Sequence, residues 1–212
     1  SVYILYKSSE LTSMNNINKS TRFPLTLFLA ALCLSTINTT AQTNSLNFSR
    51  IQPDTFGGNM SLSNAWGDYD NDGDLDLIVV FKNGDVRLYN NELGKFTNVG
   101  PELGLPTDGK ERRAVGWGDY DGDGYLDLYI GSNRQGNELF HNDRSQRFTE
   151  VTTEFLLDTP EVSTRQISWI DYDNNGTLDL FVADRVGANL LFHNEAGKFV
   201  EVGSELGIDD PR

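Results

Sequence analysis

One stretch of this sequence is written three times. WGDYDNDGDLDLIVV begins at Trp66, WGDYDGDGYLDLYIG at Trp117 and WIDYDNNGTLDLFVA at Trp169. The leading aspartates Asp68, Asp119 and Asp171 are spaced 51 and 52 residues apart. A fixed period of this size marks an architecture of stacked units, each too small to bury its own apolar face and completed by its neighbours. The correspondence continues downstream, where Phe96, Phe148 and Phe199 are equivalent, as are Val99, Val151 and Val202. Phe48 falls in the same register ahead of the first copy.

Each unit reads as about four short strands, the size of a propeller blade. One strand leads into the Trp and an acidic loop follows. LDLIVV, LDLYIG and LDLFVA are short β-rich apolar runs. The turn Lys82-Asn83-Gly84-Asp85 then returns the chain into VRLY, a hairpin signal. FTNV, FTEV or FVEV closes the unit. No segment beyond the N-terminal region sustains a helical apolar period. The expected fold is therefore all-β: a partial β-propeller of three four-stranded blades. Because propellers close with roughly 4–8 blades, a longer ring of about seven is expected. The expected divisions are a lead-in strand at 42–55, repeat 1 at 56–106, repeat 2 at 107–158 and repeat 3 at 159–212.

The N-terminal region reads as an export signal at 14–41. Lys19 and Arg22 supply a basic start, residues 24–37 form an apolar stretch of 14 residues, and Thr39 and Ala41 supply small residues at a cleavage site. Fourteen residues are too few for a membrane span, so a secreted or cell-surface location without a transmembrane segment is expected. The lone cysteine, Cys33, follows Leu32 where a lipid-attachment site wants a small residue, so lipidation is not expected. Residues 1–13 precede the first Met and are left unassigned.

The acidic loops carry the chemistry. The first places Asp68, Asp70, Asp72, Asp74 and Asp76 at loop positions 1, 3, 5, 7 and 9, with Gly73 at position 6. The second places Asp119, Asp121, Asp123, Tyr125 and Asp127 at those positions, and the third Asp171, Asp173, Asn175, Thr177 and Asp179. Alternating carboxylates on a tightly curled loop converge, and Gly permits the sharp turn. Calcium takes 6–8 oxygens, here side chains from positions 1, 3, 5 and 9 and the carbonyl of position 7. Magnesium wants a smaller octahedral site, and zinc or copper would want His or Cys, which the loops lack. An EF-hand fails because position 12 holds Val79, Ile130 or Val182 where it needs Glu, and because a strand follows the loop. Asp, Asn and Gly also make plain turns, but a plain turn needs no Asp at position 9 in three copies. Asn175 replaces a carboxylate, so the third site is expected to be the weakest.

These residues resemble the FG-GAP-like, or VCBS, repeats that build the calcium-bearing propeller of integrin α-chains and occur in secreted bacterial proteins similar to cartilage acidic protein. The resemblance covers residues 46–208 and implies a calcium loop between the first two strands of each blade, with those fifteen loop residues as ligands. A literal Gly-Ala-Pro is absent, and Phe56-Gly57 occurs in the first unit alone.

A net charge of −14 disfavours nucleic acid. Trp66, Trp117 and Trp169 are expected to pack between blades. His141 and His193 share a repeat position with Asn90, and interchange with Asn suits a turn hydrogen-bonder. Arg113 and Arg165 lie four residues before their Trp and face either a central channel, where an anion could be held, or a surface ion pair. The leading function is a binding module for a protein or glycan ligand rather than an enzyme. The alternatives are the propeller scaffold of a secreted polysaccharide lyase or hydrolase, and a structural spacer.

Overall fold

The computed structural model describes residues 60–208 together with 49, 52 and 54–57. The expected export signal at 14–41 and residues 1–13 lie outside the described residues. The chain divides into two compact units, 1–51 and 52–212, and all described residues except Ser49 belong to the second.

Twelve strands form three antiparallel meanders of four. The first blade holds β1 (Ser61–Gly67), β2 (Asp76–Phe81), β3 (Val86–Glu92) and β4 (Lys95–Asn98). The second holds β5 (Arg112–Gly118), β6 (Asp127–Ser132), β7 (Glu138–Asn142) and β8 (Phe148–Glu150). The third holds β9 (Thr164–Ile170), β10 (Asp179–Asp184), β11 (Leu190–Glu195) and β12 (Lys198–Glu201), followed by a single-turn helix α1 (Gly203–Leu206). The expected partial β-propeller of three four-stranded blades is what forms, with the acidic loop between the first two strands of each blade.

Sequence explains the strand roles. β2 is buried at every position and β6 likewise, which suits apolar runs covered on both faces. The expected turn after β2 forms: Phe81 N–H donates to Asp85 O, and Gly84 takes φ 92°, a left-handed value that glycine adopts without a Cβ clash. The β3–β4 and β11–β12 hairpins turn through Leu93-Gly94 and Ala196-Gly197, with positive φ at both residues of each pair. Each blade also carries one register irregularity where its first strand begins or its second ends, at Ser61/Ser63, Arg112/Ala114 and Ala183/Asp184.

The core lies between blades. Ile78, Val80, Val86 and Leu88 of the first blade pack on Val115, Leu128, Ile130, Phe140 and Phe148 of the second. Tyr129 and Leu139 of the second pack on Leu180, Val182, Phe192 and Phe199 of the third. Connections plug the seams, with Leu105 in the first cluster and Leu157 in the second. Each fully buried Leu or Ile contributes roughly 1.5–3 kcal/mol by leaving water. Phe56 covers the opposite face of the first blade, with ring centroids 5.0 Å from Tyr89 and 5.2 Å from Phe96.

The tryptophans register one blade on the next. A Cβ added at Gly67 would lie 2.8 Å from Trp117, and one added at Gly118 would lie 2.5 Å from Trp169. The Gly after the Trp of one blade is therefore the seat for the Trp of the following blade. Trp66, first in the series, is 39% exposed, and Ile170 stands where the third blade would have that Gly. Among the described residues no helix is long and apolar enough to cross a membrane.

Candidate metal centres

Each acidic loop is shaped by its own side chains. Position 6 is left-handed as expected, with φ of 94°, 91° and 90° at Gly73, Gly124 and Gly176. Position 4 is left-handed too: Asn71 at 60°, Gly122 at 75° and Asn174 at 60°. Asn and Gly are the residues that tolerate this region best. The sequence carries that constraint as Asn, Gly, Asn at position 4. The position 1 carboxylate staples the curl. Asp68 accepts from the N–H groups of Asp72 at 3.1 Å and Gly73 at 3.0 Å. Asp119 accepts from Asp123 at 3.1 Å and Gly124 at 3.0 Å, and Asp171 from Asn175 and Gly176, both at 3.0 Å.

The structure gathers some of the expected ligands and leaves others aside. In the first loop, one oxygen each of Asp68, Asp70 and Asp76 lie within 4.8 Å of one another. In the second, Asp119, Asp121 and Asp123 form such a group, and Asp121 forms another with Asp127 and His141. In the third the group is Asp173, Asp179 and His193. Asp72 is turned to cap the N–H of Asp74 at 2.8 Å, and the Asp74 carboxylate accepts from Leu93 N–H at 2.8 Å in the β3–β4 turn. Tyr125 N–H donates to Asp123 at 2.9 Å. Asn175 Oδ1 accepts from Thr177 N–H at 2.7 Å, and the Thr177 hydroxyl lies 2.6 Å from Asn194 O. At position 7 the Asp74 and Thr177 side chains thus serve the loop's own architecture.

Position 9 differs in environment. Asp76, Asp127 and Asp179 are fully buried at the starts of β2, β6 and β10. Asp76 accepts from Tyr69 N–H at 3.2 Å and Asn91 N–H at 2.8 Å; Asp127 accepts from Tyr120 at 3.2 Å and Asn142 at 2.8 Å. Asp179 accepts from Tyr172 at 3.1 Å and Asn194 at 2.7 Å. Burial pushes the Asp76 and Asp127 carboxyls up to about 7, against the pull of these N–H groups. The Asp70 carboxyl is raised as well, first by burial and then by Asp72 beside it. Among the described residues no Lys or Arg forms an ion pair with a loop carboxylate. Buried carboxylates crowded by like charge and unpaired with Lys or Arg fit a divalent cation bound through oxygen.

Two features escaped the sequence reading. His141, expected as a turn hydrogen-bonder, places its Nδ1 3.2 Å from Asp127 Oδ1 and 3.5 Å from Asp121 Oδ2. His193 repeats this at 3.1 Å from Asp179 and 3.7 Å from Asp173. Asn90 donates to Asp70 at 3.1 Å from the same repeat position. This position therefore faces the acidic group in every blade. The residue after it ties neighbouring blades together. Asn142 Nδ2 donates to Tyr69 O at 2.9 Å and Asn194 Nδ2 to Tyr120 O at 2.8 Å. Those carbonyls belong to position 2 of the preceding blade's loop. A further bond joins two loops directly, from Asn71 Nδ2 to Gly124 O at 3.0 Å.

No curated protein matches the chain. The profile of the FG-GAP-like repeat matches it twice, over 68–130 and 119–182. Each match runs from the position 1 Asp of one blade into the second strand of the next, so each takes in parts of two neighbouring blades. Because the matches together cover more than half of the sequence, the chain belongs to the FG-GAP-like repeat family.

Proposed function

We propose that this chain is an exported calcium-binding module whose blades present rigid loops to a protein or carbohydrate partner, with no catalytic task of its own. The observation that carries the reading is the fully buried Asp at position 9, repeated in three blades beside the position 3 carboxylate and, in the first blade, the position 1 carboxylate as well. The proposed ligands are Asp68, Asp70, Asp72 and Asp76 in the first loop, Asp119, Asp121, Asp123 and Asp127 in the second, and Asp171, Asp173, Asn175 and Asp179 in the third. The carbonyls of Asp74, Tyr125 and Thr177 complete the sets. Bound calcium supplies positive charge that keeps these carboxylates ionised and together. The chain's own part is to orient them: the position 1 Asp curls the loop, and the position 9 Asp fixes it to the head of a strand. The tethers from Asn142 and Asn194 carry the order of one loop into the next blade.

Extracellular modules hold calcium with dissociation constants of roughly 10⁻⁴–10⁻³ M. That range suits a secreted or surface protein, in keeping with the expected signal at 14–41. The third site, with Asn175, is the weakest.

Titration calorimetry with calcium tests the reading. The unmutated chain should bind three ions, one per loop. Asp119→Ala combined with Asp123→Ala should remove one of them, and should lower the thermal midpoint only when calcium is present. An unmutated chain that takes up no calcium removes the assignment altogether.

A further inference from the structure

The first strands of the three blades run side by side, and their second residues are Leu62, Arg113 and Arg165. These three line one cavity of about 220 Å³, together with Lys82, Glu111 and Thr164. Each blade contributes one cation to it. Arg113 comes from β5 and Arg165 from β9; in the first blade, where the equivalent residue is Leu62, Lys82 arrives instead from the end of β2. Arg113 is held in place by Glu111, with Nε at 2.9 Å and Nη2 at 2.7 Å from the same carboxylate oxygen. The other oxygen of Glu111 accepts from Asn133 at 3.4 Å. Among the described residues, the Arg165 guanidinium and the Lys82 ammonium have neither a hydrogen bond nor an ion pair.

This arrangement runs against the composition. Acidic residues outnumber basic ones 31 to 17, so a cation on this surface ordinarily finds a carboxylate. Here three cations from three blades share one carboxylate, Glu111, and only Arg113 makes an ion pair with it. Like charges brought together around one concavity repel, and an anion placed among them relieves that repulsion. A guanidinium presents a planar fork matched to two oxygens of one group, and an ammonium adds a point charge. Leu62, 43% exposed, adds an apolar wall. The cavity is smaller than the roughly 300–1,000 Å³ typical of drug-sized ligands, so it suits a single acidic group with a short carbon skeleton.

We propose that this cavity binds an oxyanion of the carboxylate or sulfate class, held between Arg113, Arg165 and Lys82. The site is separate from the acidic loops and does not depend on calcium.

Calorimetry on the full chain at low salt tests it with three probes, glucuronate, sulfate and glucose, each with calcium and again with a chelator. Glucuronate or sulfate should bind and glucose should not, and added salt should weaken the binding. Arg165→Ala should weaken binding about tenfold, and Lys82→Ala less, as the loss of one charge-assisted contact implies. Both side chains are exposed, so both variants should keep the parent's melting temperature. Arg165→Glu should abolish binding. Sulfate binding without glucuronate would narrow the class to inorganic anions and still support the site. Equal binding of glucose, or unchanged affinity in the Arg165 and Lys82 variants, overturns the proposal. So does anion binding that disappears with the chelator, because the anion would then be held by calcium. The calcium reading stands or falls separately, on the calcium stoichiometry.

Discussion

The seam between the first two blades and the seam between the last two are alike at one end and different at the other. At the loop end both use the same devices: Trp117 sits on Gly67 and Trp169 on Gly118, while Asn142 reaches Tyr69 and Asn194 reaches Tyr120. At the far end the equivalent residues are Arg112 and Thr164. Arg112 is completely buried and spends its guanidinium on Glu138 at 2.7 and 2.9 Å, Asp108 at 2.7 and 3.1 Å, and Gly84 O at 3.0 Å. Thr164 makes one side-chain bond, to Asn137 Oδ1 at 2.8 Å, and its methyl packs where a Cβ on Gly131 would come within 2.3 Å. The end that presents the acidic loops is thus held by a repeated solution, because displacing one loop displaces the next. The opposite end carries no such coupling, and each seam closes there with what is locally at hand, a charged fork in one and a small hydroxyl in the other.

The largest expected effect breaks the far end of the first seam. Arg112→Ala leaves Glu138 without its main partner and Gly84 O without a donor, so a loss of about 3–5 kcal/mol is expected. Thr164→Val keeps the shape and removes one hydrogen bond, and Asn137 Oδ1 still accepts from Ser132 N–H at 2.8 Å, so about 1 kcal/mol is expected. Urea melts of the two variants measure the difference. Equal losses would mean that the two seams are not built differently.

The loop end should respond alike in both seams. Gly118→Ala drives a methyl into the Trp169 ring and Gly67→Ala drives one into Trp117, with about 1–3 kcal/mol expected for each. Ile170 occupies the third such position and is 50% exposed. Ile170→Gly should cost no more than about 1 kcal/mol, the span of strand propensity. Thermal melts followed by tryptophan fluorescence separate these cases. A harmless Gly118→Ala would remove the Trp-on-Gly seat from the account.

The division between the two ends also sets what the sequence could reveal. Whatever repeats was legible: the period, four strands per unit, the loop between the first two strands, the Trp packing between blades. A spacing within one unit encodes those features. Asn142 and Asn194 were missed because their partners lie in a different blade, and Arg112 because only the fold brings Glu138 and Gly84 O, 26 and 28 residues away in sequence, to its guanidinium. For Asn142 and Asn194 a signal did exist, since Asn91, Asn142 and Asn194 recur at one repeat position; only a view of the seam shows why. His141 and His193 were legible as hydrogen-bonding residues but not in where they point. Substitution by Asn suggested a turn residue, whereas the shared requirement is a polar group facing the acidic cluster. Asp74 fits the expectation that position 7 offers its carbonyl, since its carboxylate accepts from Leu93 N–H in the β3–β4 turn.

The smallest effect sharpens the same contrast through pH. The hydrogen bonds from Arg112 pull the Asp108 carboxyl from the usual 3.8 down to about 2. A carboxyl whose folded value lies below its unfolded one adds stability that is fully present above about pH 4 and is lost as the pH falls through about 2. The Asp108 side chain is 54% exposed, so solvent screening holds this contribution below about 1 kcal/mol. Asp108→Asn should therefore lose slightly less stability than the unmutated chain between pH 4.5 and pH 2, once each is referred to its own value at the higher pH. Thr164→Val touches no ionisable group and should keep the full acid response of the parent. If Asp108→Asn shows the parent's acid response unchanged, the exposed half of the Arg112 fork contributes nothing, and the first seam relies on Glu138 and Gly84 alone.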